Sequence, residues 1–268
     1  MVRLAEPLCA GAHLNGSAAG SRLGGGGANA ALALAAAGHQ VTLLAAIGED
    51  AEGATSLAEL ASAGVCTAGI VRLARPTTRS LILLDPAGER TVVNVTRCEE
   101  PAPPYRLLDL PAEAVYVRSR RADLAALLAA KAATSLVVAH MPPVEPASRP
   151  AHVLVASASD LPASAASDPL ALGRTVAGTL LRWVVITDGA AGARAVSETS
   201  ALNAPAARVE PLDTTGAGDA FAAGLVHALV SGQSMSAALD TAVRFGTEAT
   251  LWARSGLPAE AVQRLLAR

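Results

Sequence analysis

Five short, nearly uninterrupted apolar stretches constrain the fold more than any other feature of the sequence. They are VTLLAAI (41–47), AVYV (114–117), SLVVA (135–139), HVLVA (152–156) and WVVIT (183–187). A strand with one wet face would alternate apolar and polar residues. These do not alternate, so each reads as a strand covered on both faces, the state of a parallel sheet packed between helices. Helical spacing runs near 28–37, 53–63, 121–132, 168–181, 217–231, 234–252 and 258–267, between and after the strands. Strands alternating with helices predict an α/β fold with a mostly parallel central sheet. One segment breaks the alternation: RSLILLDPAGERTVVNV, residues 79–95, reads as two strands around the turn DPAG, a hairpin flap over one edge. The 268 residues suit a single such domain.

Composition narrows what the domain can do. Hydrophobic residues make up 51% of the chain but aromatics only 2%, so Ala, Leu and Val must build the core. The net charge of −2 comes from 21 basic and 23 acidic residues without a basic stripe, which excludes nucleic acid and polybasic-lipid partners. The longest small-apolar run, residues 28–38, falls well short of the roughly 20 residues of a membrane span. The opening MVRLAEPLCAG does not resemble a signal peptide. Cys9, Cys66 and Cys98 are widely spaced and odd in number, which points to reduced thiols in a cytoplasmic protein. The five histidines lack HxxxH and HExxH spacing, so no protein-held zinc is expected. The Pro-rich PPVEPASRP, residues 142–150, reads as a surface loop.

Two glycine clusters carry the chemistry. GGGGANA, residues 24–30, formally matches a dinucleotide-binding pattern through Gly25, Gly27 and Ala30. That pattern should follow a buried strand, and the preceding LNGSAAGSRL is small and polar, so a nicotinamide site is rejected. The helix directly after the cluster favours close approach of something to the backbone. Asn29 is placed either to cap that helix or to offer its amide to a polyhydroxylated ligand.

The second cluster is PLDTTGAGDAF, residues 211–221. Phe221, Gly224, Leu225, Ala228 and Leu229 form one apolar helical face, which places Gly216, Ala217 and Gly218 at a helix N-terminus. Amides there lack intrahelical partners, and with the helix dipole they make an anion site suited to phosphate. No Lys follows as in a GxxxxGK[ST] loop, which excludes a Walker-type site. Asp219 would repel a phosphate, so binding alone does not call for it. Phosphoryl transfer does, because the attacking hydroxyl must lose a proton.

DTTGAGDAF resembles the C-terminal signature of the ribokinase-like carbohydrate kinases. GGGGANAALALAAAGHQVTLLAAIGEDAEG (24–53) is similar to their N-terminal signature, SLILLDPAGERTVV to their lid hairpin, and VVITDGAAGA (184–193) to their nucleotide-side strand and loop. The order and spacing of all four agree. The resemblance implies a three-layer sandwich with a small β lid formed by about 8–22 and 79–95, and ATP-dependent phosphorylation of a sugar or nucleoside hydroxyl. It implies Asp219 as catalytic base, with the amides of Gly216, Ala217 and Gly218 on the transferring phosphoryl group. Gly25, Gly27 and Asn29 would line the acceptor pocket; Thr187, Gly189, Gly192 and Gly218 would meet ATP. Asp213 and Thr215 match positions that hold a monovalent cation such as K+ in several members, and Mg2+ would arrive with the nucleotide. A homodimer through the lid is the expected assembly.

Three departures bear on these expectations. The chain opens just after the family's apolar first strand, which ends in Gly and a sugar-gripping Asp, so a gap or edge in the sheet is expected. Ser157-Ala-Ser-Asp160 stands where the family carries Asn-x-x-Glu, leaving Asp160, one methylene shorter, as the carboxylate for water-mediated Mg2+. Gly26 replaces the Lys of ribokinase's GGKGAN, so ribose is not secured as acceptor. A nucleotide-binding homologue without turnover and a kinase of a vitamin-type alcohol are the alternatives. Arg118, Arg120 and Arg121 read as a basic helix start, unfavourable for the dipole, so at least one of them is expected to face an anionic ligand or an acid. Glu49 and Asp50 are candidates for supporting a lid hinge.

Overall fold

A computed structural model describes residues 1–86, 90–141, 143–161 and 168–267. In chain order its elements are β1 (Val2–Leu4), β2 (Gly16–Ala18), α1 (Gly26–Ala36), β3 (Ala45–Gly48), α2 (Ala51–Ser62), β4 (Ile70–Leu73), β5 (Arg79–Leu84) and β6 (Arg90–Thr96). These are followed by β7 (Ala114–Val117), α3 (Ala125–Ala132), β8 (Leu136–His140), β9 (Val153–Ser157), α4 (Pro169–Ala177) and β10 (Trp183–Thr187). The chain ends with β11 (Ala193–Val196), β12 (Ala201–Ala204), α5 (Ala217–Val230), α6 (Met235–Ala249) and α7 (Ala259–Leu266).

The main sheet has the order β12-β11-β10-β9-β8-β7, parallel from β7 to β10 and antiparallel at β11 and β12. Its residues divide between two cores. Val138, Val153, Val155 and Val185 face α5 and α6 through Phe221, Leu225 and Leu239. Val137, Ala139, Leu154 and Ala156 face the opposite way, onto Leu127 and Leu128 of α3 and Val176 of α4. Successive residues of β8 and β9 thus feed opposite layers, which is why those strands are apolar throughout.

A second parallel pair, β3-β4, stands apart from the six strands. Among the described residues, β3 has no strand partner on its other edge and neither has β7. Leu43 and Ala45 line one side of the intervening space, Val115 and Val117 the other. This is the expected gap. It also narrows the strand read at 41–47: only 45–48 is extended and paired, with one further bridge at Thr42↔Cys66.

The lid is a four-stranded sheet, β2-β1-β5-β6, larger than the hairpin alone. Its N-terminal part begins at Val2 rather than near residue 8, with β1 antiparallel to β2 and parallel to β5. Residues 87 and 88 of the DPAG turn lie outside the described residues, while the antiparallel register of β5 on β6 is clear on both sides of it. The helix read at 168–181 ends at Ala177, where Gly178 turns the chain with φ 72°. Arg118, Arg120 and Arg121 lie in the turn before α3, not on its first turn. Pro142 lies outside the described residues; of the rest of that loop, 144–147 are exposed, but Ser148 and Arg149 are buried and Arg149 donates to the Ser119 carbonyl. Four elements were not foreseen: β1, β4, β11 and β12.

Candidate active site

α1 and α5 pack against each other, and their N-termini meet at Asp219. Asp219 is 8% exposed and its carboxylate holds two donors: Asn29 Nδ2 gives to Oδ2 at 2.8 Å, and Arg118 Nε gives to Oδ1 at 3.1 Å. Asn29 lies inside α1 with Gly25 as the N-cap, so it does not cap the helix as one reading proposed; its amide is spent on Asp219. The neighbouring Tyr116 hydroxyl has no partner among the described residues. Burial, and then the charge of Asp219, push its pKa upward.

The start of α5 is set by Gly216, in the left-handed region at φ 83°. A Cβ there would stand 1.9 Å from the Ser255 carbonyl oxygen, so glycine is required twice over. Among the described residues the Gly216 and Gly218 amides have no protein acceptor, and a Cβ at Gly218 would meet nothing within 4 Å. The Ala217 amide differs from expectation: it bonds the Thr214 carbonyl at 3.3 Å, leaving Gly216 and Gly218 as the free pair.

Gly25, Gly27 and Asn29 line one wall of the cleft; Thr187, Gly189 and Gly192 line another. Arg118, His140, Ser157 and Thr187 all sit at the carboxyl ends of parallel strands, where open α/β sheets place their ligands. The cavity of about 3450 Å³ is several times a single-ligand pocket, because it continues from the cleft into the gap between β3 and β7. Gly189 and Gly192 carry φ 48° and 101°, and a Cβ on Gly192 would strike the Ala204 carbonyl at 2.1 Å, which holds the loop after β10 tight.

The GEDAEG segment forms a clasp beneath the lid. Asp50 caps α2 through the Gly53 amide at 2.9 Å and also accepts from Thr77 Oγ1 at 2.5 Å and Thr77 N at 2.8 Å. Thr77 Oγ1 in turn accepts from Gly48 N at 2.9 Å. The Thr77 hydroxyl, then the Thr77 and Gly53 amides, hold the Asp50 carboxyl down to about 2. A Cβ at Gly48 or Gly53 would collide with backbone at 2.3 Å, which explains the glycine spacing. Glu49 takes no part in this clasp through its side chain.

Asp213 is countercharged within the protein. Its Oδ1 accepts from Thr215 N at 2.8 Å and its Oδ2 from Arg22 Nη2 at 2.7 Å. Burial raises its pKa, yet the bonds from Thr215 and Arg22 outweigh that and leave it lowered. A monovalent cation on this carboxylate would have to displace Arg22, so the residues present do not fit K+ there, although Thr215 Oγ1 is buried without a partner. Asp160, exposed on the short turn after β9, lines the cleft and fits a metal held through water beside nucleotide phosphates. Among the described residues no cluster of three His, Cys, Asp or Glu could chelate a metal unaided. The expectation that at least one of Arg118, Arg120 and Arg121 faces an acid holds for Arg118, on Asp219, and for Arg121, on Asp123; that Asp219 is the acid beside Arg118 was not read from the sequence. The position of Arg118 immediately after the strand AVYV was the available signal.

Known proteins with these features point one way. The profile of the pfkB family carbohydrate kinases matches residues 4–258. An ATP-dependent ribose-1-phosphate kinase of Halopiger xanaduensis is 30% identical over 257 residues, covering 91% of this chain and 86% of the relative. A ribokinase of Bacillus subtilis is 27% identical, with 88% and 84% covered. Among solved structures, ribokinase from Thermotoga maritima superposes with TM-score 0.81 at 18% identity over 100% of this chain and 95% of that one. Ribokinase from Cryptococcus neoformans with ADP gives 0.79 at 24% identity, again over 100% and 95%. With its three layers, its β lid and its glycine-led helix starts accounted for, the chain belongs to the pfkB family of carbohydrate kinases and is a phosphotransferase.

Proposed function

We propose that the protein transfers the γ-phosphate of ATP to a hydroxyl of a sugar or nucleoside-like acceptor. The observation that carries this reading is a buried carboxylate, Asp219, one residue beyond the free amides of Gly216 and Gly218. In the reaction the acceptor oxygen bonds the γ-phosphorus, its proton passes to Asp219, and the bond to the β-phosphate breaks as ADP leaves. The transition state is loose, so the amides at the positive end of α5 and the alignment of the two substrates contribute more than proton removal. Gly25, Gly27 and Asn29 form the acceptor wall, and Thr187, Gly189 and Gly192 the ATP wall. Mg2+, when bound with the nucleotide, neutralises phosphate charge, and Asp160 is the carboxylate placed to hold it through water. Arg22 supplies at Asp213 the positive charge expected of K+.

The relatives give no support to a nucleotide-binding protein without turnover, and the four-stranded lid weighs against a vitamin-type kinase. No helix among the described residues is long and apolar enough to cross a membrane, and all three cysteines are free, in keeping with the cytoplasmic expectation. Strand register puts Ile82, Val92 and Asn94 on the face of the lid opposite Leu81, Val93 and Val95. Val92 on the first strip is 47% exposed, and Leu81, Val93 and Val95 on the second are 37%, 45% and 64% exposed; the second, apolar along its length, is the surface through which two copies would pair. Val95→Asp should sediment as a monomer if so; an unchanged dimer of the variant removes the lid as interface.

The direct test of the activity is a panel of sugars and nucleosides scored for acceptor-stimulated ADP release with ATP and Mg2+. At least one acceptor should stimulate release strongly. A chain that hydrolyses or binds ATP without any acceptor response does not have this function.

A further inference from the structure

Two histidines that the phosphoryl-transfer reading leaves unused join the far ends of α1 and α5. His39 Nε2 lies 2.8 Å from His227 Nδ1, with the rings edge to face at 69° and 5.0 Å between centroids. Both side chains are half-buried, and the His227 ring also stacks on the buried Phe245 of α6. His39 is fixed to α1 by its own main chain. Gly38, at φ 88°, ends the helix, its amide on the Ala35 carbonyl and the His39 amide on the Leu34 carbonyl. His227 lies in the last turn of α5. Among the described residues no third metal-ligating side chain joins the two imidazoles, so the pair is not a metal site.

The pair closes a weak joint. In the cluster that the two helices share, the buried residues are Ala30 and Ala33 of α1 and Ala220 and Ala223 of α5. A methyl group buries little area, so this contact gains less per residue than the Leu and Val layers on the main sheet. At the other end the same helices bring Asn29 to Asp219 at 2.8 Å, about 12 Å along α5 from His227.

An N–H···N bond needs one nitrogen bare. A second proton on the pair sets two N–H groups of like charge against each other with no acceptor between them. Burial, and then the charge of His39, hold the His227 pKa below the ordinary histidine value. Other charges face elsewhere. α1 has no titratable residue. On α6, Asp240, Arg244 and Glu248 line a separate groove, where Arg244 donates to the Leu265 carbonyl and Glu248 accepts from Trp252 and Arg264. Glu260 of α7 is exposed, and Glu113, just before β7, lines the gap with His39. Because the folded value is lowered, the joint is intact above the ordinary value of about 6.5 and is lost as pH falls below it, where the unfolded chain takes up the proton more readily.

We propose that His39 and His227 are positioning residues: their bond closes the α1–α5 joint at neutral pH, and a second proton opens it and loosens the contact of Asn29 with Asp219. The effect on turnover rests on the phosphoryl-transfer reading above; the joint itself does not.

The test follows the Asn29 side-chain amide and the imidazole C–H resonances by NMR from about pH 7.5 to about pH 5.5 in the parent, His227→Gln and His39→Gln. Glutamine keeps a donor and an acceptor at the joint and removes the second proton. In the parent the two histidines should titrate as a coupled pair with one step below the ordinary value, and the Asn29 signal should move with that step. In each variant the remaining histidine should titrate alone and the Asn29 step should vanish. The parent's melting temperature should fall by about 2–4 °C more than either variant's over the same range. Its kcat/KM for an accepted substrate should fall by up to about tenfold more. Carboxylate titrations are common to all three proteins and cancel. A purely structural role would shift stability equally at every pH. Independent histidines at ordinary values, or parallel pH courses of the Asn29 signal or of turnover in parent and variants, overturn the proposal. Should no acceptor be turned over, the resonances and melting curves still decide it, so its failure and that of the kinase reading are told apart.

Discussion

The two glycine-led helix starts use the same residue for opposite purposes. α1 begins after Gly25 at φ 98° and α5 after Gly216 at φ 83°, and neither helix has a side-chain cap. A Cβ on Gly24 or Gly25 would meet nothing within 4 Å, and one on Gly27 would find only Leu43 at 3.6 Å. On Gly216 it would run into the Ser255 carbonyl at 1.9 Å. The opening of α1 is therefore loose at Gly24, Gly25 and Gly27 but tight at Gly26, where a Cβ would fall 2.6 Å from Arg118 and Asp219, and the opening of α5 is jammed at Gly216 but open at Gly218. Glycine content alone does not distinguish a vacancy from a lock; the neighbours do.

The most severe break in this comparison removes the group the two starts share. Asp219→Ala should lower kcat by roughly 10²–10⁴-fold, the usual range for losing a positioned base. ATP affinity, read by equilibrium titration, should stay near the parent value, because the carboxylate has no attractive role toward the nucleotide. Parent-level turnover would make Asp219 a dipole-complementing residue of the first turn and reduce the meeting of α1 and α5 to packing.

A pair of variants then compares the two starts directly. Gly216→Ala carries the left-handed strain of about 1–2 kcal/mol and the collision with Ser255, so the α5 amides must move. Misaligned donors should cost on the order of 10²–10³ in kcat. Gly25→Ala also carries positive-φ strain, at φ 98°, but meets no collision, and should lose less turnover than Gly216→Ala. Equal losses in kcat would show that the α5 lock has no special bearing on catalysis.

Much of this arrangement was legible in the sequence, for reasons visible in particular residues. AVYV and WVVIT were bounded correctly because neither strand has a fully exposed residue, WVVIT being buried at its centre and AVYV partly buried along its length. The short segments IVRL, ARAV and ALNA mix polar and small residues at the sheet margins, where the pattern is indistinguishable from loop, so β4, β11 and β12 went unread. VTLLAAI was read too long because its apolar residues face the gap beside β7 as well as a paired strand. The Asp219 constellation was legible as a motif. Its partners from other parts of the chain were not, since Arg118 and Arg22 reach their acids across 101 and 191 residues and no local spacing records either contact.

The mildest change probes the loose start. Gly27 lies within α1, and a Cβ there would make an ordinary contact with Leu43, so Gly27→Ala should fold normally and gain up to about 1 kcal/mol from helix propensity. Its methyl would nevertheless enter the proposed acceptor pocket, where one carbon of misfit is worth about tenfold or more. A slightly raised melting temperature together with a raised acceptor KM, at unchanged KM for ATP, is the expected signature. Stability and catalysis would then move in opposite directions at one atom, as they must if that space is kept empty for a substrate. An unaltered acceptor KM would place the acceptor elsewhere in the cleft and leave the opening of α1 as a turn that only needs backbone freedom.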